Sequence, residues 1–267
     1  MISKFTLSRI SSIFLVPGLI LFITSCQKVD ASHGPKKDNR IETIDFNKIV
    51  LHTGGTLNYT QSSQTQVSVN TTQEVFNALN IFVKNQTLHI KSKSGFNILN
   101  QDEIVFNVSD DDTYSIEVCG SGDVNADFDE NYHFENHKLI ISGSGNIIAD
   151  EVYAQSQHVR ISGSGDVKIN YLNVSESDTD ISGSGSIHYL SGNAANTKMD
   201  INGSGDIRSY EMSSQDAEVM ICGSGDIQLR AQNSLDIDIS GSGDVWYKGK
   251  PTVASSVSGS GNVFDAN

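Results

Sequence analysis

Polar side chains that could bind a cation or cap a turn recur at regular intervals along the sequence. An Asp, Asn or Ser follows each of eight Gly-Ser-Gly tripeptides, at Asp123, Asn146, Asp166, Ser186, Asp206, Asp226, Asp244 and Asn262. Carboxylates stacked at an inter-strand spacing of about 4.8 Å could gather Ca²⁺, which prefers oxygen ligands. The same residue types cap tight turns by bonding to nearby backbone. Because Asn and Ser interrupt the charge, we expect corner capping, with cation binding as the alternative.

Two further groups of titratable residues have the residue types of a metal site, but their expected local structure does not fit one. His133 and His137 have the i, i+4 spacing that binds zinc on a helix, yet the segment HFENH has the pattern of a strand or loop. In a strand the two residues would lie about 13 Å apart. Asp110, Asp111 and Asp112 form a run that is typical of a solvated turn. The sequence therefore predicts no metal ligand, no cofactor site and no catalytic residue.

Four aromatic residues could form a platform for a sugar, namely Tyr189, Tyr210, Trp246 and Tyr247. In a strand, successive side chains point to opposite faces. Trp246 follows the apolar Val245, so we expect Val245 to point inward and Trp246 outward. Tyr189 and Tyr247 take the next inward position and are expected in the core. A carbohydrate contact centred on Trp246 is an alternative that the sequence leaves open.

The element that must position these residues is a repeat. The eight Gly-Ser-Gly tripeptides are separated by steps of 23, 20, 20, 20, 20, 18 and 18 residues, and they begin at Gly120, Gly143, Gly163, Gly183, Gly203, Gly223, Gly241 and Gly259. A Val or Ile stands two residues before each tripeptide and two residues after it. Apolar β-branched residues at alternate positions favour strands. Glycine supplies the crowded or positive-φ backbone of a sharp bend.

A unit of about 20 residues cannot bury its apolar face alone, so it must stack on its neighbours. The sequence predicts an all-β fold, a β-solenoid with rungs of about 20 residues and a ladder of Gly-Ser-Gly corners. Cys119 and Cys222 occupy the same place just before a corner, five rungs and about 24 Å apart. This distance is too long for a disulfide. We expect two free and largely buried thiols.

The N-terminal residues have the composition of a secretory signal. Lys4 and Arg9 accompany an apolar stretch over 10–23 that is too short and too interrupted to predict a transmembrane helix. The segment ITSC that ends at Cys26 resembles a bacterial lipobox. Residues 1–25 are interpreted as a lipoprotein signal peptide and Cys26 as the lipid attachment site, which would bind the protein to the membrane. Residues 26–40 are polar and are expected to be a flexible tether.

The rest of the chain is expected to be one continuous domain over 41–264. Residues 41–115 contain strand-like runs without the tripeptide and are predicted to form irregular β rungs that cap one end. The segment QEVFNALNIF at 73–82 fits either a short helix or a bulged strand. The regular array is predicted over 116–264. Its last rung could present an open edge, through which copies of the chain could associate.

The charge of the chain limits its partners. The formal net charge is −14 for the full sequence, and it becomes −16 once residues 1–25, which carry Lys4 and Arg9 and no acid, are removed. An acidic surface repels nucleic acid phosphate, so no nucleic acid partner is expected.

Three stretches of sequence resemble a known family. They are IDFNKIVLHTGGTLNYTQ at 44–61, VKNQTLHIKSKS at 83–94, and the repeated ISGSGDV at 161–167 and 239–245. Over about residues 42–264 the chain resembles the head GIN domain family of putative auto-transporter adhesins, which is common among Bacteroidota lipoproteins. The resemblance implies a right-handed single-stranded β-helix and a location in the cell envelope. It supplies no catalytic residues.

The sequence thus favours a non-enzymatic, lipid-anchored protein of the cell envelope, with the outer membrane as the expected location. Its rigid, acidic face, rich in Ser and Asn, would bind a polysaccharide or a surface protein. Two rival interpretations are a polysaccharide-degrading β-helix enzyme and a structural protein that assembles through its open edge. Fold alone does not decide among them.

Overall fold

A computed structural model describes residues 26–267, so the expected signal peptide at 1–25 lies outside the described residues. The described chain is nearly all β and forms a β-solenoid of about eight turns with rungs of about 20 residues. This confirms the predicted fold class.

The regular part of the solenoid is built from parallel strands that pair from one rung to the next. The strands are β10 (Ser115–Val118), β11 (Asp123–Asp127), β12 (Phe134–Ile141), β13 (Ile147–Ile161), β14 (Val167–Ile181), β15 (Ile187–Tyr189), β16 (Gly192–Ile201), β17 (Ile207–Ile221), β18 (Ile227–Ile239), β19 (Val245–Lys248), β20 (Thr252–Val257) and β21 (Val263–Asp265). In most rungs one long strand therefore runs from one Gly-Ser-Gly corner to the next, rather than two short strands around each corner.

Each long strand bends twice, which gives the rung three sides. In β13 the buried residues alternate with exposed or partly exposed ones along 147–149, along 152–154 and along 157–161, and the alternation shifts phase between these runs. The pairing of β13 with β14 skips Asp150 and Gln155 at the two phase shifts. With the Gly-Ser-Gly corner as the third bend, the rung closes into a triangle. We call the sides that follow the corner, in chain order, the first, second and third sides.

The interior contains the predicted columns of branched aliphatic residues. The Val and Ile residues that flank the corners are buried throughout the array except in its last rung. There Val257 is 45 % exposed and Val263 is partly exposed, because no further rung covers them. Burial of this kind stabilises by about 25 cal/mol per Å² of apolar surface, so the columns are the main support of the fold.

The corners lie directly on one another, as the repeat predicts. The N–H of Ser164 donates to the carbonyl oxygen of Gly143 at 3.0 Å, and the same bond joins Ser184 to Gly163 at 3.0 Å. The glycines of the corners are needed for this close approach and not for a positive φ, since none of them adopts one. A Cβ built on Gly165 would lie 1.8 Å from the carbonyl oxygen of Gly145.

The N-terminal part extends the solenoid and caps it. Its strands are β1 (Gln27–Asp30), β2 (Lys37–Ile41), β3 (Lys48–Leu51), β4 (Thr56–Gln61), β5 (Gln66–Thr71), β6 (Leu79–Lys84), β7 (Thr87–Ser92), β8 (Phe96–Leu99) and β9 (Val105–Asp110). Strands β3 and β4 pair in parallel with β10 and β11, and on their other side with β7 and β9. Antiparallel strands β2, β5 and β6 then cover the end.

The segment at 73–82 combines the two structures that its sequence allows. Helix α1 (Gln73–Ala78) begins after Thr72, whose Oγ1 accepts a hydrogen bond from the N–H of Val75 at 3.3 Å. The chain then continues directly into β6. A 3₁₀ turn (Gln101–Glu103) lies between β8 and β9.

Most of the segment expected to be a flexible tether is folded. Strand β1 pairs in parallel with β8, and β2 pairs antiparallel with β5. Val29 and Ala31 are buried against the cap. The segment is folded and not a flexible tether because these two apolar side chains complete the core of the cap. The polar composition of residues 26–40 as a whole does not reveal them.

Candidate binding surface

Two columns of exposed serines run along the ladder of corners. One column stands immediately before the first glycine of each corner and the other between the two glycines, and both are exposed along the array. We call them the serine seam: Ser121, Ser142, Ser144, Ser162, Ser164, Ser182, Ser184, Ser204, Ser224, Ser240, Ser242, Ser258 and Ser260, with Cys119, Asn202 and Cys222 at the three remaining places. Within residues 26–267 only Ser142 in this set bonds through its hydroxyl to another side chain, that of Glu117 at 3.4 Å. The other hydroxyls face solvent.

The Asp, Asn and Ser residues that follow the corners form a ladder of their own. Oδ1 of Asp123 accepts the N–H of Asn146 at 2.9 Å, and Oδ1 of Asp226 accepts the N–H of Asp244 at 2.8 Å. Oδ1 of Asp166 accepts the N–H of Ser186 at 2.7 Å. The expected corner capping is therefore present, but Asp123, Asn146, Asp166, Asp206, Asp226 and Asp244 each cap the next corner in the stack rather than their own turn, and in the described structure Ser186 caps none.

The third side of the solenoid is strongly acidic. We call the following exposed and partly exposed carboxylates the acidic side: Glu176, Asp178, Asp180, Asp200, Asp216, Glu218, Asp236 and Asp238. Lys198 lies among them and pairs with Asp200, its Nζ 3.3 Å from Oδ2. The ammonium group of Lys198 is about half exposed, and an ion pair that water screens in this way contributes little stability. The negative potential next to the serine seam disfavours anionic ligands.

The aromatic residues occupy two kinds of position. Tyr189 is buried, with its hydroxyl 2.8 Å from Oγ1 of Thr179, and Tyr247 packs against the core, so both inward predictions are confirmed. Trp246 is partly exposed and stacks on Phe264 in the last rung, with 5.4 Å between ring centroids. Tyr210 is covered by the ammonium group of Lys248, 4.3 Å from the ring centroid. The four residues do not form one platform.

The two histidines of HFENH lie in different surroundings. His137 is fully buried, with its Nδ1 2.6 Å from Oε1 of Gln157. Burial lowers the pKa of His137 to about 4, so the ring is neutral at physiological pH. His133 is exposed and its ring lies 5.5 Å from that of Tyr153. One imidazole of HFENH therefore lies inside the solenoid and the other on its surface.

The run of three aspartates does form a turn, but its first member is not solvated. Asp110 is buried. Its carboxylate accepts hydrogen bonds from the N–H of Thr113 at 2.8 Å and from the Thr113 hydroxyl at 2.6 Å. The hydroxyl of Tyr59 also donates to it at 3.2 Å. Burial raises the pKa of Asp110 while these donors act in the opposite direction. The residue holds the turn together.

The cysteines are free, as predicted, but they are not largely buried. Cys119 is partly exposed, and Cys222 and Cys26 are exposed. Alternation along the strand explains the error for Cys222, because Ile221 just before it points inward. Burial, followed by the hydrogen bond to Glu117, raises the pKa of the Cys119 thiol to about 12, so this thiol is protonated at neutral pH.

One cluster escaped sequence reasoning. His158, Asp178 and Asp180 each offer a ligand atom within 4.8 Å of the others. The signal was present as an offset of one repeat, since His158 precedes Asp178 by 20 residues. Register between rungs, and not proximity in sequence, brings them together.

Within residues 26–267 no helix is long and apolar enough to cross a membrane.

The fold and the repeated surface define a β-solenoid with serine corners. The chain belongs to the family described as "Putative auto-transporter adhesin, head GIN domain", whose model matches residues 45–251. This shows the resemblance found in the sequence to be correct.

Solved structures share the fold at low sequence identity. A putative lipid binding protein from Parabacteroides distasonis is 23% identical with a TM-score of 0.82, and the match covers 90% of this chain and 100% of that one. A putative adhesin from Parabacteroides merdae is 20% identical with a TM-score of 0.80, at the same coverage. A putative adhesin from Bacteroides fragilis is 24% identical with a TM-score of 0.68, covering 88% of this chain and 99% of that one. No curated protein matches the chain.

Proposed function

We propose that this chain is a non-enzymatic, lipid-anchored adhesin-like protein of the cell envelope that binds a surface polysaccharide along its serine seam. The observation that carries the proposal is the repetition of exposed serine hydroxyls once per rung in two parallel columns. A polysaccharide is also a repeating array of hydroxyls. Each serine can donate one hydrogen bond and accept others, so a regular polymer meets equivalent partners along the whole seam.

Rigidity supports this function. The seam is held by backbone hydrogen bonds between corners, such as the 2.8 Å bond from the N–H of Ser182 to the carbonyl oxygen of Ile161. A surface that is already ordered loses little conformational entropy when it binds. Many weak hydrogen bonds along one rigid seam then act together, as linked binding sites do.

Charge narrows the class of polysaccharide. The acidic side adjoins the seam, and the full sequence carries a formal net charge of −14. Like charges across an interface disfavour association. We therefore infer that the ligand is a neutral or cationic glycan.

The anchor is proposed at Cys26. This residue is exposed and stands directly before β1, which pairs with β8 at the capped end of the solenoid. A lipid on Cys26 would hold the capped end close to the outer membrane, with no flexible segment between them. Substitution Cys26→Ser should move the protein from the membrane fraction to the soluble fraction. An unchanged distribution would contradict lipid anchoring, and protease treatment of intact cells would identify the exposed face of the membrane.

A binding role is favoured over catalysis by the family description, which names an adhesin head. The alternative of a polysaccharide-degrading enzyme makes a distinct prediction. Incubation with uronic-acid polysaccharides would release unsaturated or reducing ends if the chain were such an enzyme, and we expect none.

The ligand proposal is tested on an array of neutral, cationic and anionic glycans. A double variant, Ser164→Lys with Ser204→Lys, places two long side chains on the seam. The matched control, Asn173→Lys with Asn233→Lys, makes the same charge change at exposed positions away from the seam. Loss of binding in the seam variant alone is the expected result. If both double variants bind glycan equally well, the serine seam is not the binding site. If glycan binding is lost only in Trp246→Ala, the binding site lies at the last rung instead.

A further inference from the structure

A mixed cluster of metal-ligating side chains lies on the third side of the solenoid. His158 Nδ1 is 3.1 Å from Oδ2 of Asp178, and Asp180 contributes a carboxylate oxygen within 4.8 Å of both. We propose that His158, Asp178 and Asp180 form a binding site for a divalent transition metal ion of the zinc class. The inference does not depend on the proposed ligand of the serine seam.

The backbone fixes the three side chains before any metal binds. His158 lies on β13, and Asp178 and Asp180 lie on β14, with His158 in register with Asp178. Residues two apart on a strand point to the same face, so both carboxylates project outward beside the imidazole. The alternate residues Val159, Thr179 and Ile181 are buried and anchor the strands from inside. Preorganised ligands of this kind lose little freedom on binding.

A further carboxylate lies beside the cluster on the next rung. Asp200 is the register partner of Asp180 on the next rung. Its Oδ1 is buried and has no hydrogen-bond partner, although its Oδ2 pairs with Lys198. A buried acceptor without a donor is costly. Asp200 therefore adds negative charge next to Asp180, outside the group of three ligands.

Three cations flank the cluster, since Lys138 is in register with His158, Arg160 with Asp180 and Lys198 with Asp178. Lys198 is engaged by Asp200, with 3.3 Å between the paired atoms. Arg160 is the register partner of Asp180 on β13, but within residues 26–267 it forms no ion pair with that carboxylate. Within residues 26–267 neither Asp178 nor Asp180 forms an ion pair with a Lys or Arg side chain, so both carboxylates keep oxygen atoms that can bind a metal ion.

The donor set selects the class of metal. Imidazole nitrogen with carboxylate oxygen suits Zn²⁺ and its first-row neighbours. Ca²⁺ and Mg²⁺ prefer sites made of oxygen alone. Three protein ligands leave further coordination positions for water.

Isothermal titration of the purified protein with ZnCl₂ tests the site. We expect saturable binding that is lost in His158→Gln and in Asp180→Asn. Two controls should retain it. Asp238→Asn removes an exposed carboxylate from the same side, and His89→Gln removes one imidazole of the pair whose His52 Nε2 and His89 Nδ1 lie 3.3 Å apart. Circular dichroism and the melting temperature of each variant establish that it is folded.

The following results would contradict the proposed metal site. Absence of saturable Zn²⁺ binding to the unmodified protein removes the site. Binding that survives in folded His158→Gln and Asp180→Asn, or that disappears in His89→Gln instead, assigns the metal elsewhere. A parallel titration with CaCl₂ checks the metal class, because Ca²⁺ binding lost in the same two variants would refute the preference for a transition metal.

Discussion

Substitution of one corner glycine tests the physical basis of the stack. A Cβ built on Gly205 lies 1.8 Å from the carbonyl oxygen of Gly185 and 3.1 Å from Cγ2 of Ile181. The carbonyl oxygen belongs to the main chain, and the added Cβ is bonded directly to it. Rotation of a side chain therefore cannot relieve this overlap. Real Cβ contacts are essentially never shorter than 3.0 Å, so the two corners must separate by at least 1.2 Å in Gly205→Ala.

The magnitude follows from the bonds that such a separation breaks. The N–H of Asn202 donates to Ile181 at 2.8 Å, and the N–H of Ser204 donates to Gly183 at 3.0 Å. Adding 1.2 Å takes both beyond hydrogen-bond distance. Two backbone hydrogen bonds and the accompanying strain amount to a loss of about 3 kcal/mol in the free energy of unfolding.

Urea denaturation measures this loss as a lower midpoint at an unchanged slope. Ser204→Ala in the same corner is the matched control, because its side chain is exposed, and we expect a change of no more than about 0.5 kcal/mol. Amide exchange should accelerate first at residues 202–206. A Gly205→Ala variant as stable as its Ser204→Ala control would refute the argument that glycine is required by close approach.

Three further predictions concern other parts of the array. Because the folded state excludes the proton of His137, whose pKa is lowered from 6.5 to about 4, the unfolded state takes up that proton first as the pH falls. The protein should therefore lose about 3 kcal/mol of stability between pH 6.5 and pH 4, and midpoints measured across this range should show no such component in His137→Gln. Ser186→Asn should stabilise the protein by up to about 1 kcal/mol. The longer side chain can accept a hydrogen bond from the N–H of Asp206, which has no partner in the described structure. An unchanged urea midpoint would contradict the role of these side chains in capping the next corner. Association through the exposed edge of the last rung, where Val257 is 45 % and Phe264 40 % exposed, predicts sedimentation that depends on concentration and becomes independent of it in Val257→Lys.

Much of the fold could be predicted from the sequence because its determinants are local and repeated. Alternation of apolar residues requires strands, and Gly-Ser-Gly at a nearly constant interval requires corners in register. The inward position of Ile181 and the free state of Cys119 and Cys222 both follow from a place in the repeat. The folded segment before Ile41 could not be predicted, because Val29 and Ala31 gain their partners only from the cap.

The candidate sites also differ in how far each one could be predicted from the sequence. The sequence by itself determined the serine seam, since every serine is placed by its own corner. Only the tertiary structure decided which corner each Asp caps, that His137 is buried against Gln157, and that His158 meets Asp178 and Asp180. These contacts join residues one repeat apart, and their geometry depends on how adjacent rungs are aligned. A chain sequence records the spacing of such residues, whereas the packing of one rung on the next sets the distance between their atoms.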